Sequence, residues 1–109
     1  MPFYINHISI YLPESMLSNA LLADELNVTE EQIYKSTRIK NRYISGKKEL
    51  SSDMAIKAGS IFFNETKIEK SDIDFLIFCS EGFDYIAPAS SCIIQHKLGL
   101  STNIGCFDL

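Results

Sequence analysis

The C-terminal third of the chain, residues 72–109, constrains the fold more than any other part of the sequence. It begins with an unbroken apolar run at 75–79, which is typical of a strand covered on both faces in a parallel sheet. Pro88 then suits the first position of a helix, and Gly99 suits the position just past the end of one. Residues 104–109 are extended and apolar again. The order strand, helix, strand predicts a crossover connection between two parallel strands.

The size and charge of the chain fit a globular protein. Its 109 residues suffice for one domain, 46% of them are hydrophobic, and a net charge of −4 argues against a general nucleic-acid-binding role. There is no secretory signal pattern and no apolar run of bilayer length, so we expect a cytoplasmic protein. In that compartment the cysteines Cys79, Cys92 and Cys106 are expected to be reduced thiols, and their wide spacing argues against a structural zinc site.

The first seventy residues predict further elements of an α/β fold. Residues 3–12 are rich in β-branched side chains and predict a first strand. Ser18 is expected to cap one helix, and Thr29 with Gln32 fits the capping box of the next, in which Ile33 faces inward. Ser51 or Ser52 is expected to cap a third helix. Its apolar stripe is expected to pack against a sheet and consists of Met54, Ala58, Ile61 and Phe62. We therefore predict a single α/β segment over residues 1–109, with a largely parallel sheet, helices packed on it and no second domain.

Basic side chains are concentrated in one stretch, residues 35–48, which we call the basic segment. It contains six of the ten lysines and arginines and no acidic residue: Lys35, Arg38, Lys40, Arg42, Lys47 and Lys48. Two interpretations remain open at this point. The segment is either a solvated loop with a short extended piece at Tyr43 and Ile44, or a docking surface for an anionic partner.

Three groups of side chains have chemistry to consider. Cys92 and His96 are four residues apart on the predicted helix, as a nucleophile pair requires, although a thiol among apolar helix residues usually acts as a small hydrophobe. Cys106 within the last strand favours packing. A polar loop after the central strand offers either acid–base groups or solvated loop residues: Ser80, Glu81, Asp84 and Tyr85. The glycines are too scattered for a phosphate-binding loop. These residues alone predict a fold and do not identify a reaction.

A set of residues in the same order resembles the β-ketoacyl-[acyl-carrier-protein] synthase III family of the thiolase superfamily. The resemblance extends over residues 5–109 almost without gaps. Its residues are Tyr11, Leu12, Pro13, Glu14, Asn19, Thr37, Ile39, Arg42, Ser52, Asp53, Met54, Ala55, Pro88, Ala89, Ser90, Ser91, Cys92, Gln95, Leu98 and Gly99.

This resemblance implies a fold and a reaction. Members have two similar α/β halves and work as homodimers. They transfer an acyl group from coenzyme A to a cysteine and condense it with malonyl on acyl carrier protein, releasing carbon dioxide, by means of a Cys–His–Asn set. The cysteine follows a Phe-Asp-hydrophobic strand, here Phe107, Asp108 and Leu109. The resemblance therefore implies that the nucleophile falls just after Leu109, that His and Asn lie in a further C-terminal half, and that this chain alone is inactive.

The chain also departs from the family pattern. Gln32 and Ser36 stand where better-known members have Trp and Arg at the mouth of the coenzyme A channel, and Thr37 and Arg38 stand in place of a Thr-Gly step. Ala87 replaces an aromatic residue of the acyl pocket. The resemblance thus implies a channel mouth at these first four residues, an acyl-pocket vicinity at Glu81 and Ala87, and no metal or bound cofactor. The acyl donor and its chain length stay open.

Several other functions compete with this interpretation. Within the superfamily, the chain could belong to a specialised condensing enzyme of secondary metabolism or a hydroxymethylglutaryl-type synthase. Outside catalysis, it could be a silent thiolase-fold subunit or a small flavodoxin-like binding module. The residues that follow Leu109 in the encoded protein would distinguish these cases.

Overall fold

The computed structural model describes residues 2–82 and 84–109. Within them, four short strands, four α-helices and one 3-10 turn follow one another along the chain. The strands are β1 (Ser15–Ser18), β2 (Asn41–Ile44), β3 (Phe75–Phe78) and β4 (Gly105–Asp108). The helices are α1 (Asn19–Leu26), α2 (Glu30–Thr37), α3 (Ser51–Glu65) and α4 (Ser90–Leu98). The 3-10 turn is Lys70–Asp72. None of the described helices is long and apolar enough to cross a bilayer. The chain divides into two compact units, Leu12–Lys48 and the remainder.

The larger unit contains the crossover that the sequence predicts. Strands β3 and β4 are parallel, with Phe75 opposite Gly105 and Phe78 opposite Asp108. The pairing continues beyond β4, because the Leu109 N–H donates to the Phe78 carbonyl at 2.8 Å. Helix α4 connects the two strands. The predicted parallel α/β arrangement is confirmed for this unit.

Helix α4 ends where the sequence predicts and begins two residues later than predicted. Gly99 has a φ of 67°, the left-handed conformation in which a side chain is disfavoured, and its N–H donates to the carbonyls of the last turn. The first helical residue is Ser90 and not Pro88. Ala89 occupies the N-cap position and has no side-chain oxygen for the free N–H groups of the first turn.

An aspartate at the end of β4 supplies the missing cap of α4. The Oδ2 atom of Asp108 accepts the Ser90 N–H, and its Oδ1 atom accepts the Ser91 N–H, both at 2.7 Å. A negative charge in this position also interacts favourably with the positive end of the helix dipole. The carboxylate therefore joins the end of the last strand to the start of the helix that precedes it.

Helix α3 is capped in the same remote manner. Asp84 lies in the loop between β3 and α4, and its Oδ1 atom accepts the Ser51 N–H at 3.1 Å and the Ser51 hydroxyl at 2.6 Å. Its Oδ2 atom accepts the Ser52 N–H at 3.0 Å. The prediction that Ser51 or Ser52 caps α3 is wrong: the N-cap residue is Leu50, and the two serines are donors to Asp84.

The two capping carboxylates remain ionised more readily than ordinary aspartates. Burial alone would raise the pKa of Asp108, but hydrogen bonds from Ser91 and Ser90 outweigh that effect and hold the pKa below its ordinary value. Burial likewise opposes ionisation of Asp84, whose pKa is nevertheless lowered by the hydrogen bonds from Ser51 and Ser52.

The core of the larger unit is formed mainly by helix-on-helix packing. Ile94, Leu98 and Leu100 are buried, and the α3 residues packed against them are Ala55, Ile56 and Phe63. A β-carbon at Gly59 would lie only 2.8 Å from Leu98 Cδ1, so the glycine permits α3 and α4 to approach closely. The predicted contact stripe of α3 is therefore wrong in its residues and in its partner, because the helix surface that packs inward faces α4 and not a sheet.

One face of the parallel strands is exposed. Leu76 and Phe78 pack against the core, whereas Phe75 and Ile77 are 57% and 62% exposed. Phe107 on the neighbouring strand is 55% exposed. The prediction that the apolar run is covered on both faces is therefore wrong within the described part of the chain.

The N-terminal residues form no strand with any described partner, so the prediction of a strand at 3–12 is wrong. Side chains attach this segment to α3 instead. His7 Nε2 lies 3.2 Å from Glu65 Oε2, and the Ser9 hydroxyl donates to the same oxygen at 3.1 Å. The Tyr11 hydroxyl donates to Glu49, which also accepts from Lys57. These polar contacts hold the segment along α3, but a strand requires backbone hydrogen bonds to a partner strand.

The smaller unit combines an antiparallel pair of strands with the two capped helices that lie between them in the chain. Strand β1 is antiparallel to β2, with Ser15 opposite Ile44 and Ser18 opposite Asn41. The Ser18 hydroxyl accepts the Leu21 N–H at 3.4 Å, which confirms the predicted cap of α1. Strand β1 was not predicted, because its four residues contain no β-branched side chain and give no clear period.

The capping role of Asp108 leads to a stability prediction. We expect Asp108→Asn to lower the free energy of unfolding of the chain by about 1 kcal/mol near neutral pH, because the charged acceptor of two N–H groups is lost. The pKa of Asp108 is lower in the folded than in the unfolded chain, so its stabilisation is complete above the unfolded value and disappears as the pH falls through the folded one. Urea unfolding at about pH 7 and about pH 2.5 measures both effects.

The matched control is Asp24→Asn, which removes an exposed carboxylate from helix α1. It should change stability little at either pH. Equal losses for the two variants, or a loss for Asp108→Asn that persists at the lower pH, would contradict the assignment of Asp108 as a charged cap.

Candidate functional site

The predicted channel-mouth residues lie on α2 and at its C-terminal end. Gln32 and Ser36 are both exposed, and their spacing of four places them on one side of the helix. The side chain of Gln32 has a structural role as well. Its Oε1 atom accepts the Thr29 backbone N–H at 2.8 Å, and the backbone N–H of Gln32 donates to Thr29 Oγ1 at 3.2 Å. The predicted capping box is therefore confirmed, and it occupies one polar atom of Gln32.

Thr37 shapes the turn that follows the helix. Its hydroxyl donates to the Ile33 carbonyl at 2.8 Å and accepts the Ile39 N–H at 3.1 Å. Arg38 adopts the left-handed conformation with a φ of 60°, and its N–H donates to the Tyr34 carbonyl at 2.8 Å. A glycine would take this conformation without steric cost, as in the Thr-Gly step from which the chain departs.

A buried asparagine fixes the same turn from the other side. Asn19 is only 5% exposed, donates to the Ile39 carbonyl at 2.8 Å and accepts from Arg42 Nη1 at 2.8 Å. The guanidinium of Arg42 therefore binds a buried side chain of the smaller unit. Sequence reasoning included both residues in the resemblance but did not identify this pair, because they are 23 positions apart.

The basic segment is not a loop, because it includes the end of α2 and the whole of β2. Lys35 pairs with Glu31 across one helical turn at 2.9 Å. The Arg38 guanidinium and the Lys40 ammonium both lie over the ring of Tyr34, at 6.0 and 5.9 Å from its centroid. These two cations and the exposed Lys47 and Lys48 are presented to solvent, as a docking surface for an anion requires.

A shallow cavity of about 380 Å³ lies beside this ring. Its lining comes from the start of α1, from α2 and from the turn into β2, and consists of Ser18, Asn19, Glu30, Glu31, Tyr34, Lys40 and Asn41. Gln32 and Ser36 are not in the lining. The cavity therefore lies on a different side of α2 from the predicted channel mouth.

The loop that follows β3 contains the predicted acyl-pocket residues. Glu81 and Ala87 are both exposed. The Ser80 hydroxyl accepts the Gly82 N–H at 3.3 Å and donates to the Gly82 carbonyl at 2.9 Å, which forms a local turn. The interpretation of Asp84 as a solvated loop residue is wrong, because its carboxylate caps α3. An acid–base role for this loop stays a prediction.

The cysteines are free thiols in three different environments. Cys79 and Cys92 are exposed, whereas Cys106 is half-buried. The expectation that Cys92 packs as a small hydrophobe is therefore wrong. The structure also gives no hydrogen bond between Cys92 and His96 in the part of the chain that it describes. Burial raises the pKa of Cys106, and the neighbouring Cys92 thiol and Asp108 raise it further.

No cluster of three or more His, Cys, Asp or Glu side chains in residues 2–82 and 84–109 could hold a metal ion. Strand β4 ends at Asp108, whose carboxylate is occupied by the start of α4. The expectation that the catalytic Cys, His and Asn follow Leu109 stays a prediction.

The chain is similar to known proteins over nearly its whole length. No protein-family model matches the chain. A protein of Sulfurovum sp. named β-ketoacyl-[acyl-carrier-protein] synthase III is 40% identical over 111 residues, covering 99% of this chain and 32% of the relative. A protein of the same name from Fusobacterium nucleatum is 35% identical, with coverage of 96% and 32%.

Solved structures agree with these relatives. A 3-oxoacyl-(acyl-carrier-protein) synthase III superposes with a TM-score of 0.83 at 34% identity, over 96% of this chain and 32% of that one. The synthase III of Thermus thermophilus gives a TM-score of 0.79 at 27% identity, over 94% and 31%. OleA of Xanthomonas campestris, at 21% identity and a TM-score of 0.75, shares the fold.

The predicted fold class is confirmed by these superpositions. The chain spans about a third of the length of the relatives that it matches. It is therefore a homologue of the N-terminal part of the β-ketoacyl-[acyl-carrier-protein] synthase III family, with the thiolase-like α/β fold of that family.

Proposed function

We propose that this chain is the N-terminal part of a condensing acyltransferase of the synthase III type, acting in fatty-acid or related biosynthesis. The longer protein takes an acyl group onto a cysteine and condenses it with malonyl on acyl carrier protein, with loss of carbon dioxide. The observation that supports this proposal is the continuous match to relatives of that name over 94–99% of the chain at 34–40% identity. A homodimer in the cytoplasm belongs to the same proposal.

The role of this segment is to position the nucleophile. In the proposed enzyme the cysteine follows Leu109, at the C-terminal edge of a parallel strand, where α/β proteins commonly place their ligands. The hydrogen bonds of Asp108 to α4 hold the end of that strand in place. A thiol delivered from there to a helix N-terminus is ionised more easily, and His and Asn donors from the C-terminal half stabilise the enolate formed by decarboxylation. Asp108 is thus a positioning residue.

The first test separates this chain from the longer protein. We expect the 109-residue chain, incubated with an acyl-CoA, to form no thioester at a catalytic rate on Cys79, Cys92 or Cys106, because none of them is the proposed nucleophile. A longer protein that contains this chain should acquire one acyl group on a cysteine that follows Leu109. Intact-mass spectrometry followed by peptide mapping measures both.

Two outcomes contradict the proposal. Rapid acylation of the 109-residue chain would show that the nucleophile is one of its own residues. A folded longer protein that accepts no acyl group from coenzyme A or from carrier protein would support the silent thiolase-fold subunit instead.

We further propose that the acyl donor is a carrier-protein thioester in preference to free acyl-CoA. Gln32 and Ser36 offer neither a large aromatic surface for adenine nor a charge for phosphate, and one amide atom of Gln32 is occupied by the capping box. The cations of Arg38, Lys40 and Lys47 would favour an acidic carrier protein by long-range attraction. Both arguments lead to the same preference.

A competition experiment on the longer protein tests the donor. We expect self-acylation from the acyl-carrier protein to exceed self-acylation from the matching acyl-CoA. The double variant Gln32→Trp/Ser36→Arg should improve apparent coenzyme A affinity about tenfold or more, because a stacking contact and a charged hydrogen bond are gained. Low-micromolar affinity of the unmodified protein for acyl-CoA would contradict the proposal.

The control for this experiment changes the cations alone. Arg38→Glu/Lys40→Glu/Lys47→Glu should weaken acylation from the carrier protein, and the effect should diminish as salt is added. It should affect the coenzyme A reaction less. Unchanged kinetics with the carrier protein at low ionic strength would assign the basic segment to a solvated surface.

A further inference from the structure

Two of the three thiols lie together at the junction of α4 and β4. Side chains two residues apart on a strand point to the same face, so Cys106 is on the face of β4 from which Asp108 reaches α4. The Asp108 carboxylate accepts the Ser91 N–H at 2.7 Å, and Cys92 is the next residue of the helix. The Cys92 thiol is also one of the groups that raise the pKa of Cys106, which agrees with this neighbouring position of the two thiols. Cys92 is exposed and Cys106 is half-buried.

Cys79 lies apart from this pair. Leu76 is opposite Cys106 in the register and Phe78 is opposite Asp108, so these residues share the core-facing side of the two strands. Cys79 directly follows Phe78, and alternation places its side chain on the other face. Cys79 is exposed, as Cys92 is, and it lies on the opposite face of the sheet from Cys106, so it provides an internal reference thiol.

We propose that Cys92 and Cys106 form a redox-sensitive dithiol that a peroxide converts to a disulfide, linking helix α4 to strand β4. Neighbouring thiols favour the second step of such an oxidation because the resolving thiol is already at the site. Transient disulfides of this kind are the form in which redox-sensing cysteines act in reducing compartments. The proposal is independent of the acyltransfer chemistry.

The reaction proceeds in two balanced steps. The thiolate of the accessible Cys92 attacks hydrogen peroxide, the O–O bond breaks, and Cys92 becomes a sulfenic acid with release of hydroxide. The hydroxide takes up the proton that the Cys92 thiol lost on ionisation, which gives the first water. The Cys106 sulfur then attacks the Cys92 sulfur, forming the S–S bond and breaking the S–O bond. Its proton leaves with the departing hydroxyl as water. In sum, two thiols are oxidised, one peroxide is reduced, and two waters form.

The test maps the link in the 109-residue chain. After treatment with equimolar hydrogen peroxide and alkylation, we expect the monomer to have lost two alkylatable thiols and two hydrogen atoms. Trypsin cleaves after Lys97, between the two cysteines, so the disulfide should join two tryptic peptides until dithiothreitol separates them. This measurement needs no variant and is unaffected by any folding defect of one.

Cysteine variants identify which two thiols form the disulfide. Cys79 and Cys92 lie on the same tryptic peptide, so Cys79→Ser is required, and it should retain the link. Cys92→Ser and Cys106→Ser should abolish it. A link that disappears with Cys79→Ser would overturn the proposal. So would a peroxide-treated wild-type chain in which Cys92 is oxidised to sulfinic acid while Cys106 remains fully alkylatable.

Discussion

Helices α3 and α4 both receive their N-terminal caps from aspartates that lie elsewhere in the chain. Leu50 and Ala89 occupy the N-cap positions and have no side-chain oxygen, so the first N–H groups of these helices depend on Asp84 and Asp108. Buried helix ends without partners would each be costly. The Asp108 contact also links β4 to α4, and it thereby closes the strand–helix–strand unit on itself.

This closure shows how the segment could support the proposed reaction, by fixing the end of its last strand. Strand β4 aligns with β3 through the backbone, and its end is fixed by two charged hydrogen bonds. A residue that follows Leu109 would start from a defined position. Hydrogen bonds of Asn19, Arg42 and Thr37 likewise stabilise the turn between α2 and β2. The proposed donor surface lies on this turn and on α2.

The sequence predicted those features that local chemistry determines. The capping box of Thr29 and Gln32, the Ser18 cap and the terminal Gly99 each depend on residues within four positions of one another. The crossover followed from the order of apolar segments. The remote caps could not be predicted, because Asp84 and Ser51 are 33 residues apart and no periodicity relates them. For residues 3–12 the pattern gave the right composition for a strand, but a strand also needs a ladder partner. The site residues Gln32, Ser36, Glu81 and Ala87 came from the resemblance, and their roles stay predictions.

The most direct test of this account is a pH titration of the chain by NMR, following the carboxyl carbon of Asp108 and the amide protons of Ser90 and Ser91. We expect Asp108 to titrate below the ordinary aspartate value of about 3.9, with both amide resonances moving over the same pH range. Titration of Asp108 at or above about 3.9, with amides that do not respond, would contradict the claim that this carboxylate holds β4 to α4.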